Sequence, residues 1–128
     1  MNALNLAPVD IRAFVPARDF EQSKQFYQAL GFTMPWSSDD LAQLRCGECS
    51  FLLQKFHVQA HSDNFMMHML VENVDDWFAQ VQAQGLVERF GARVLPPEDR
   101  PWGHRDFVLI DPTGVLWRIA QVLPPAAA

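Results

Sequence analysis

The sequence predicts an α+β protein made of two βαβββ modules, each with a four-stranded sheet. Three observations predict it. Each half carries one well-punctuated helix, each helix is preceded by one apolar run and followed by three, and the punctuating residues of the halves keep a nearly constant spacing.

The first helix is expected from about Asp19 to Leu30. Asp19 can cap it, and Gln22 three residues on completes a capping box. Phe20, Ser23, Phe26, Tyr27 and Leu30 fall on one face at helical spacing, and Gly31 supplies the stop. The second helix is expected from about Asn73 to Gln84. Asn73 is its cap, and the charge of Asp76 favours the amino end. Val74, Trp77, Phe78 and Val81 make its apolar face, and Gly85 ends it.

The strands surround these helices. Val9 to Val15 and Phe65 to Val71 precede them. Phe32 to Trp36, Leu41 to Arg45 and Ser50 to Phe56 follow the first helix; Ala92 to Leu95, Arg105 to Ile110 and Val115 to Val122 follow the second. Asp111-Pro112-Thr113-Gly114 is a strong turn signal, and Cys46-Gly47-Glu48 plays the same part in the first half.

Gly31 and Gly85 stand 54 positions apart, an offset that also pairs Asp19 with Asn73, Phe14 with His68 and Arg12 with Met66. Gly47 and Gly114 differ by 67, which pairs Phe51 with Arg118. The chain is thus expected to be one domain over residues 1–128, with modules at about 9–57 and 65–122 and a polar linker from His57 to Asn64.

Composition narrows the function classes. A formal net charge of -5 lacks the basic footprint that phosphate backbones require, so nucleic acid is not an expected partner. Met1 to Leu6 shows no basic segment leading into an apolar run, and no stretch is long and apolar enough to span a bilayer. Two cysteines without an export signal fit a reducing compartment, and a cytoplasmic protein without membrane contact is expected.

Paired βαβββ modules resemble the vicinal-oxygen-chelate superfamily, which includes glyoxalase I, extradiol dioxygenases and bleomycin-resistance proteins, and the resemblance implies curved sheets that form a cup. The resemblance runs from Val9 to Gln121. It rests on Val15-Pro16-Ala17-Arg18-Asp19 with Phe26-Tyr27 and Leu30-Gly31-Phe32, on Val71-Glu72-Asn73-Val74-Asp75, and on the Asp111 to Gly114 turn. Arg100-Pro101-Trp102-Gly103-His104 is similar to the Pro-Trp-Gly stretch that bleomycin-resistance proteins carry ahead of the seventh strand. That resemblance implies a homodimer with ligand grooves at the subunit interface, and action by sequestering a small molecule without covalent chemistry.

Enzymes of the superfamily hold a divalent ion with His and Glu from four pseudo-equivalent strands, because a Lewis acid must be gripped by lone pairs of N or O. The offsets put those positions at Arg12, Phe51, Met66 and Arg118. Two cations, a benzyl ring and a thioether suit no hard or borderline divalent ion. His68 faces the same way as Met66, but one imidazole without a carboxylate is not a site. No metal, cofactor or catalytic residue is therefore expected; the alternative is a metal-dependent lyase or dioxygenase of the same superfamily.

Cys46-Gly47-Glu48-Cys49 with His57 and His61 superficially suggests zinc. A finger needs about twelve residues between the second Cys and the first His, and here there are seven. A redox Cys-x-x-Cys normally opens a helix, whereas this one sits in a hairpin turn. A turn with small residues at its ends is the plainer account.

Trp77 belongs to the apolar helix face, and Trp117, alternating with Arg118, should face away from the cup and pack under a helix. Trp36 and Trp102 flank turns beside Pro35 and Pro101; they either rim a groove or cap the core. The ligand-binding set expected is Arg12, Phe14, Trp36, Phe51, Met66, His68, Trp102 and Arg118. Phe14, Phe51 and Met66 would serve equally in a plain core. Arg12 and Arg118 need either acidic partners, such as Asp10 or Glu48, or an anionic ligand. The expected function is non-catalytic sequestration of an aromatic or glycopeptide-type molecule in a groove between the sheets or at a dimer interface.

Overall fold

The structure is a computed structural model, and it describes residues 3–125. Its elements run β1 (Phe14–Pro16), α1 (Phe20–Leu30), β2 (Thr33–Ser37), β3 (Leu41–Cys46), β4 (Cys49–Gln54), α2 (Gln59–Asp63), β5 (Met66–Leu70), α3 (Val74–Ala83), α4 (Leu86–Phe90), β6 (Arg93–Asp99), β7 (His104–Ile110) and β8 (Leu116–Val122). They form two four-stranded sheets of matching order, β1-β4-β3-β2 and β5-β8-β7-β6. In each, the strand before the helix pairs parallel with the last strand of its module, and the other pairings are antiparallel.

Both main helices start where the caps predict. Asp19 accepts from the backbone N–H of Gln22, and Asn73 accepts from that of Asp76. The Gln22 side chain does not close the capping box; it reaches the carbonyl of Phe90 instead, 3.5 Å away. The face of α1 buries Phe20, Ser23, Phe26, Tyr27 and Leu30. Each fully buried large apolar side chain contributes about 1.5–3 kcal/mol, against about 1 kcal/mol for a cap, so packing holds the helix and the cap sets its first residue. Gly31, at φ +131, ends it in a conformation that side-chain-bearing residues rarely adopt.

One continuous core joins the halves. Ala42 and Leu44 of β3 and Phe51 and Leu53 of β4 meet Phe107 and Leu109 of β7 and Trp117 and Ile119 of β8, with α1 among them. Phe51 and Trp117 approach to 5.3 Å between ring centroids, and Tyr27 lies against both. Each sheet therefore turns one face to the shared core and leaves the other open, looking away from it.

Several expectations are corrected. The first strand begins at Phe14, not Val9, and Val9 and Ile11 are exposed. The linker contains α2, and α4 follows directly on Gly85, whose left-handed backbone (φ 60) caps it. The sixth strand runs on past Leu95 to Asp99, crossing Pro96 and Pro97 with a register shift between Leu95 and Glu98. β2 has a similar shift, between Thr33 and Trp36, at Pro35. Prolines lack a ladder donor, which suits these two edge strands.

Candidate functional site

The open faces are organised in cross-strand rows. On the first sheet, Phe14, Leu52, Gln43 and Trp36 stand side by side across all four strands. On the second, His68, Arg118, Val108 and Leu95 make the equivalent row. Phe14 is 52% exposed and Trp36 is 42% exposed, values that no core residue of this protein approaches. The row across the first face is thus apolar and aromatic with one amide, Gln43, in its middle.

The second face carries charge. Asp106, beside Ala120 on this face, is 1% exposed and accepts from two guanidiniums, Arg100 Nε at 2.8 Å and Arg118 at 3.0 Å. Arg100 also pairs with Glu98 at 3.0 Å. The charges on Arg118 and Arg100 are therefore answered within the sheet, by Asp106 rather than by Glu48. Arg118 keeps a third of its side chain exposed. His68 and His104 stack at 5.7 Å between ring centroids with planes 13° apart. Met66 and Leu70 flank His68 and are exposed. Trp102, 58% exposed, sits in the β6–β7 turn, which is tied down by Gly103 donating to Arg100 and Leu123 donating to Gly103.

Two expected site residues stand elsewhere than the offsets put them. Phe51 is 2% exposed and belongs to the core, because β4 turns Phe51 and Leu53 inward and Ser50, Leu52 and Gln54 to the open face. Arg12 precedes β1 and pairs with Asp10 at 2.8 Å, a contact that holds the Asp10 carboxyl below its ordinary range. Among the rest, Phe14 and Trp36 share the first face, Met66, His68 and Arg118 share the second, and the faces belong to different sheets. Leu52, Gln43, Asp106 and His104 escaped the sequence reading. Asp106 had a signal there, as a lone acid alternating with apolar residues in a strand.

Of the metal positions that the sequence offsets give, Arg12 precedes β1, Phe51 is in the core, and Met66 and Arg118 lie on the second face. With strand pairings as the guide, Phe14 and Leu52 match His68 and Arg118, so one imidazole stands among two apolar side chains and a guanidinium. Among the described residues no group of three or more His, Cys, Asp or Glu could hold an ion. This donor set does not fit a divalent metal of the kind the superfamily's enzymes use.

The family model described as "Glyoxalase/Bleomycin resistance protein/Dioxygenase superfamily" matches residues 10–119. The chain belongs to this superfamily. Among members, a bleomycin resistance protein of Klebsiella pneumoniae is 26% identical over 113 residues, covering 84% of this chain and 87% of the relative. A bleomycin resistance determinant encoded on transposon Tn5 superposes with a TM-score of 0.78 at 23% identity, over 90% of this chain and 98% of that one. A bleomycin-binding protein complexed with bleomycin superposes at 0.76 and 23% identity, over 89% and 98%. These two superpositions establish the shared fold: two open, curved sheets on a common helical layer. Among the described residues, no helix is long and apolar enough to cross a membrane.

Proposed function

We propose that this superfamily member binds and sequesters a small molecule with a flat or aromatic part, without transforming it. The observation that carries this reading is the pair of open sheet faces, one aromatic and one bearing His68, His104 and Arg118, with no metal-ligating set on either. A single chain leaves both faces to solvent. Two chains related by a two-fold axis would set the first face of one against the second face of the other, making two equivalent grooves. Burial of apolar ligand surface on Phe14, Trp36 and Trp102 would supply the affinity at about 25 cal/mol per Å². The exposed edge of Arg118 and the two imidazoles would orient polar groups. The relatives named for bleomycin resistance and binding support a glycopeptide of that type as the first ligand to try.

The test is calorimetric titration of the purified protein with bleomycin, followed in parallel by tryptophan fluorescence. The expected result is saturable binding with one ligand per chain, an altered emission spectrum, and an unmodified ligand recovered afterwards. Absence of saturable heat with bleomycin and with other flat cationic antibiotics would remove the reading. So would a stoichiometric divalent ion whose removal abolishes turnover of a substrate.

A further inference from the structure

The hairpin joining β3 and β4 carries chemistry that the open faces do not use. Cys46 and Cys49 are direct cross-strand partners on either side of the turn 47–48. Directly opposed residues of an antiparallel pair project from the same face, with Cβ atoms about 4.5–5.5 Å apart. Both thiols are free. They point away from the Phe14–Trp36 platform, since Cys46 shares its side of β3 with Ala42 and Leu44.

There the two cysteines line a groove of about 580 Å³ between the hairpin and the start of α3. Met69 of β5 lines the same groove, as do the acidic residues Glu48, Glu72 and Asp76. No Lys, Arg or His lines it, and neither His57 nor His61 is among its residues. Two thiols and a thioether around one recess are donors for a soft cation; among the described residues no three of the thiols and acids group as a ligand set, so the acids stand outside the donor shell. The thiols and thioether supply soft donors, and the acids supply an attractive field.

We propose that this groove is a binding site for a thiophilic d¹⁰ cation, best matched by Cu(I), held by the Cys46 and Cys49 sulfurs with Met69 as the third donor. Two sulfur anions and a thioether favour Cu(I), whereas zinc is usually completed by a fourth N, O or S ligand. On binding, each thiol releases its proton to solvent and the sulfur lone pair goes to the metal, with no change of oxidation state.

The test uses the reduced, full-length protein under anaerobic conditions, with Cu(I) supplied as its acetonitrile complex against a chromogenic Cu(I) chelator. One Cu(I) per chain is expected, with near-ultraviolet thiolate-to-copper absorption and protection of both cysteines from alkylation. Cys46→Ser and Cys49→Ser should each abolish that absorption, and Met69→Leu should weaken binding at least about tenfold, with thermal melts confirming that each variant folds. Should a serine variant not fold, alkylation protection of the unaltered chain still decides. The assignment is overturned if the chelator keeps all the copper at one equivalent, if the double serine variant binds equally well, or if Zn(II) displaces Cu(I).

Discussion

Tyr27, on the helix of the first module, donates its phenolic hydrogen to Asp111, in the last turn of the second. The Trp117 indole N–H donates to the Tyr27 oxygen at 2.9 Å, and the other Asp111 oxygen accepts the backbone N–H groups of Thr113, Gly114 and Val115, each at 2.9 Å. One buried carboxylate thus fastens the two halves together and shapes the loop 111–115. Tyr27→Phe should lower stability by about 1–3 kcal/mol, because it leaves a buried indole N–H and a carboxylate oxygen without their partner. Asp111→Ala orphans more donors and should cost at least about 3 kcal/mol. Denaturant unfolding monitored by circular dichroism measures both.

The same pair predicts an alkaline limit. Burial first, and the charge of Asp111 second, push the Tyr27 phenol well above its ordinary range. The folded protein then holds this proton more tightly than the unfolded chain does. Its contribution is fully present below the unfolded value of about 10 and is lost as pH rises beyond it. Tyr27 is the single tyrosine. Tyrosinate absorbance should therefore appear only together with unfolding, and a tyrosinate signal from the folded protein near pH 10 would contradict the geometry.

Asp106 is expected to be the costliest residue on the open faces to remove. Asp106→Ala would leave the Arg118 guanidinium without its acid and Arg100 with Glu98 alone, at a cost of about 2–4 kcal/mol. Asp106→Asn keeps the shape and should fall between. Equilibrium unfolding in urea ranks the three proteins, and equal midpoints would mean that solvent answers these charges.

Ligand contacts should separate by face. Trp102→Ala and Trp36→Ala are expected to weaken bleomycin binding by about 1–3 kcal/mol each, the loss of one aromatic contact area, while leaving the melt unchanged. Phe51→Leu should do the reverse, lowering stability by about 1–2 kcal/mol as a shape change in a packed core, with the dissociation constant intact. Calorimetry and thermal melts on the same samples make the comparison.

Phe14→Asp tests whether two chains meet through these faces. The side chain is half exposed within one chain, so the fold should tolerate the charge, whereas an opposing sheet would not. Sedimentation velocity should show a dimer for the unaltered protein and a monomer for the variant. A monomer in both cases would exclude the shared groove.

The parts of this fold that were legible in the sequence are those fixed by local chemistry. Asp19 and Asn73 cap helices because their side chains reach an N–H three residues on, and the five buried residues of α1 are the five its periodicity marks. On the second sheet Met66, His68 and Arg118 project from one face, and Trp117, alternating with Arg118, packs under α1 on the other. Phe51 was misplaced for a definite reason. The glycines of the two turns were matched to each other, yet the first turn holds two residues between paired ends and the second holds five. The pairings set the true offset at 66, from Leu52 to Arg118, and a slip of one residue turns a strand over. Arg12 was lost for a different reason: the apolar character of Val9 and Ile11 argued for a strand, but β1 has a single neighbour, and β4 gives it partners only from Phe14 onward. The Asp106 ion pairs are a tertiary fact, since nothing local says which of many acids will meet two arginines.

Pro35 in β2 and the Pro96–Pro97 step in β6 sit on the outer margins of the two sheets, each beside a break in register. A foreign strand arriving there finds missing donors and a kinked template, so growth from these two margins is disfavoured. The opposite margins are β1 and β5, and β5 carries no proline, so a foreign strand that extends the second sheet would have to join along Met66–Leu70.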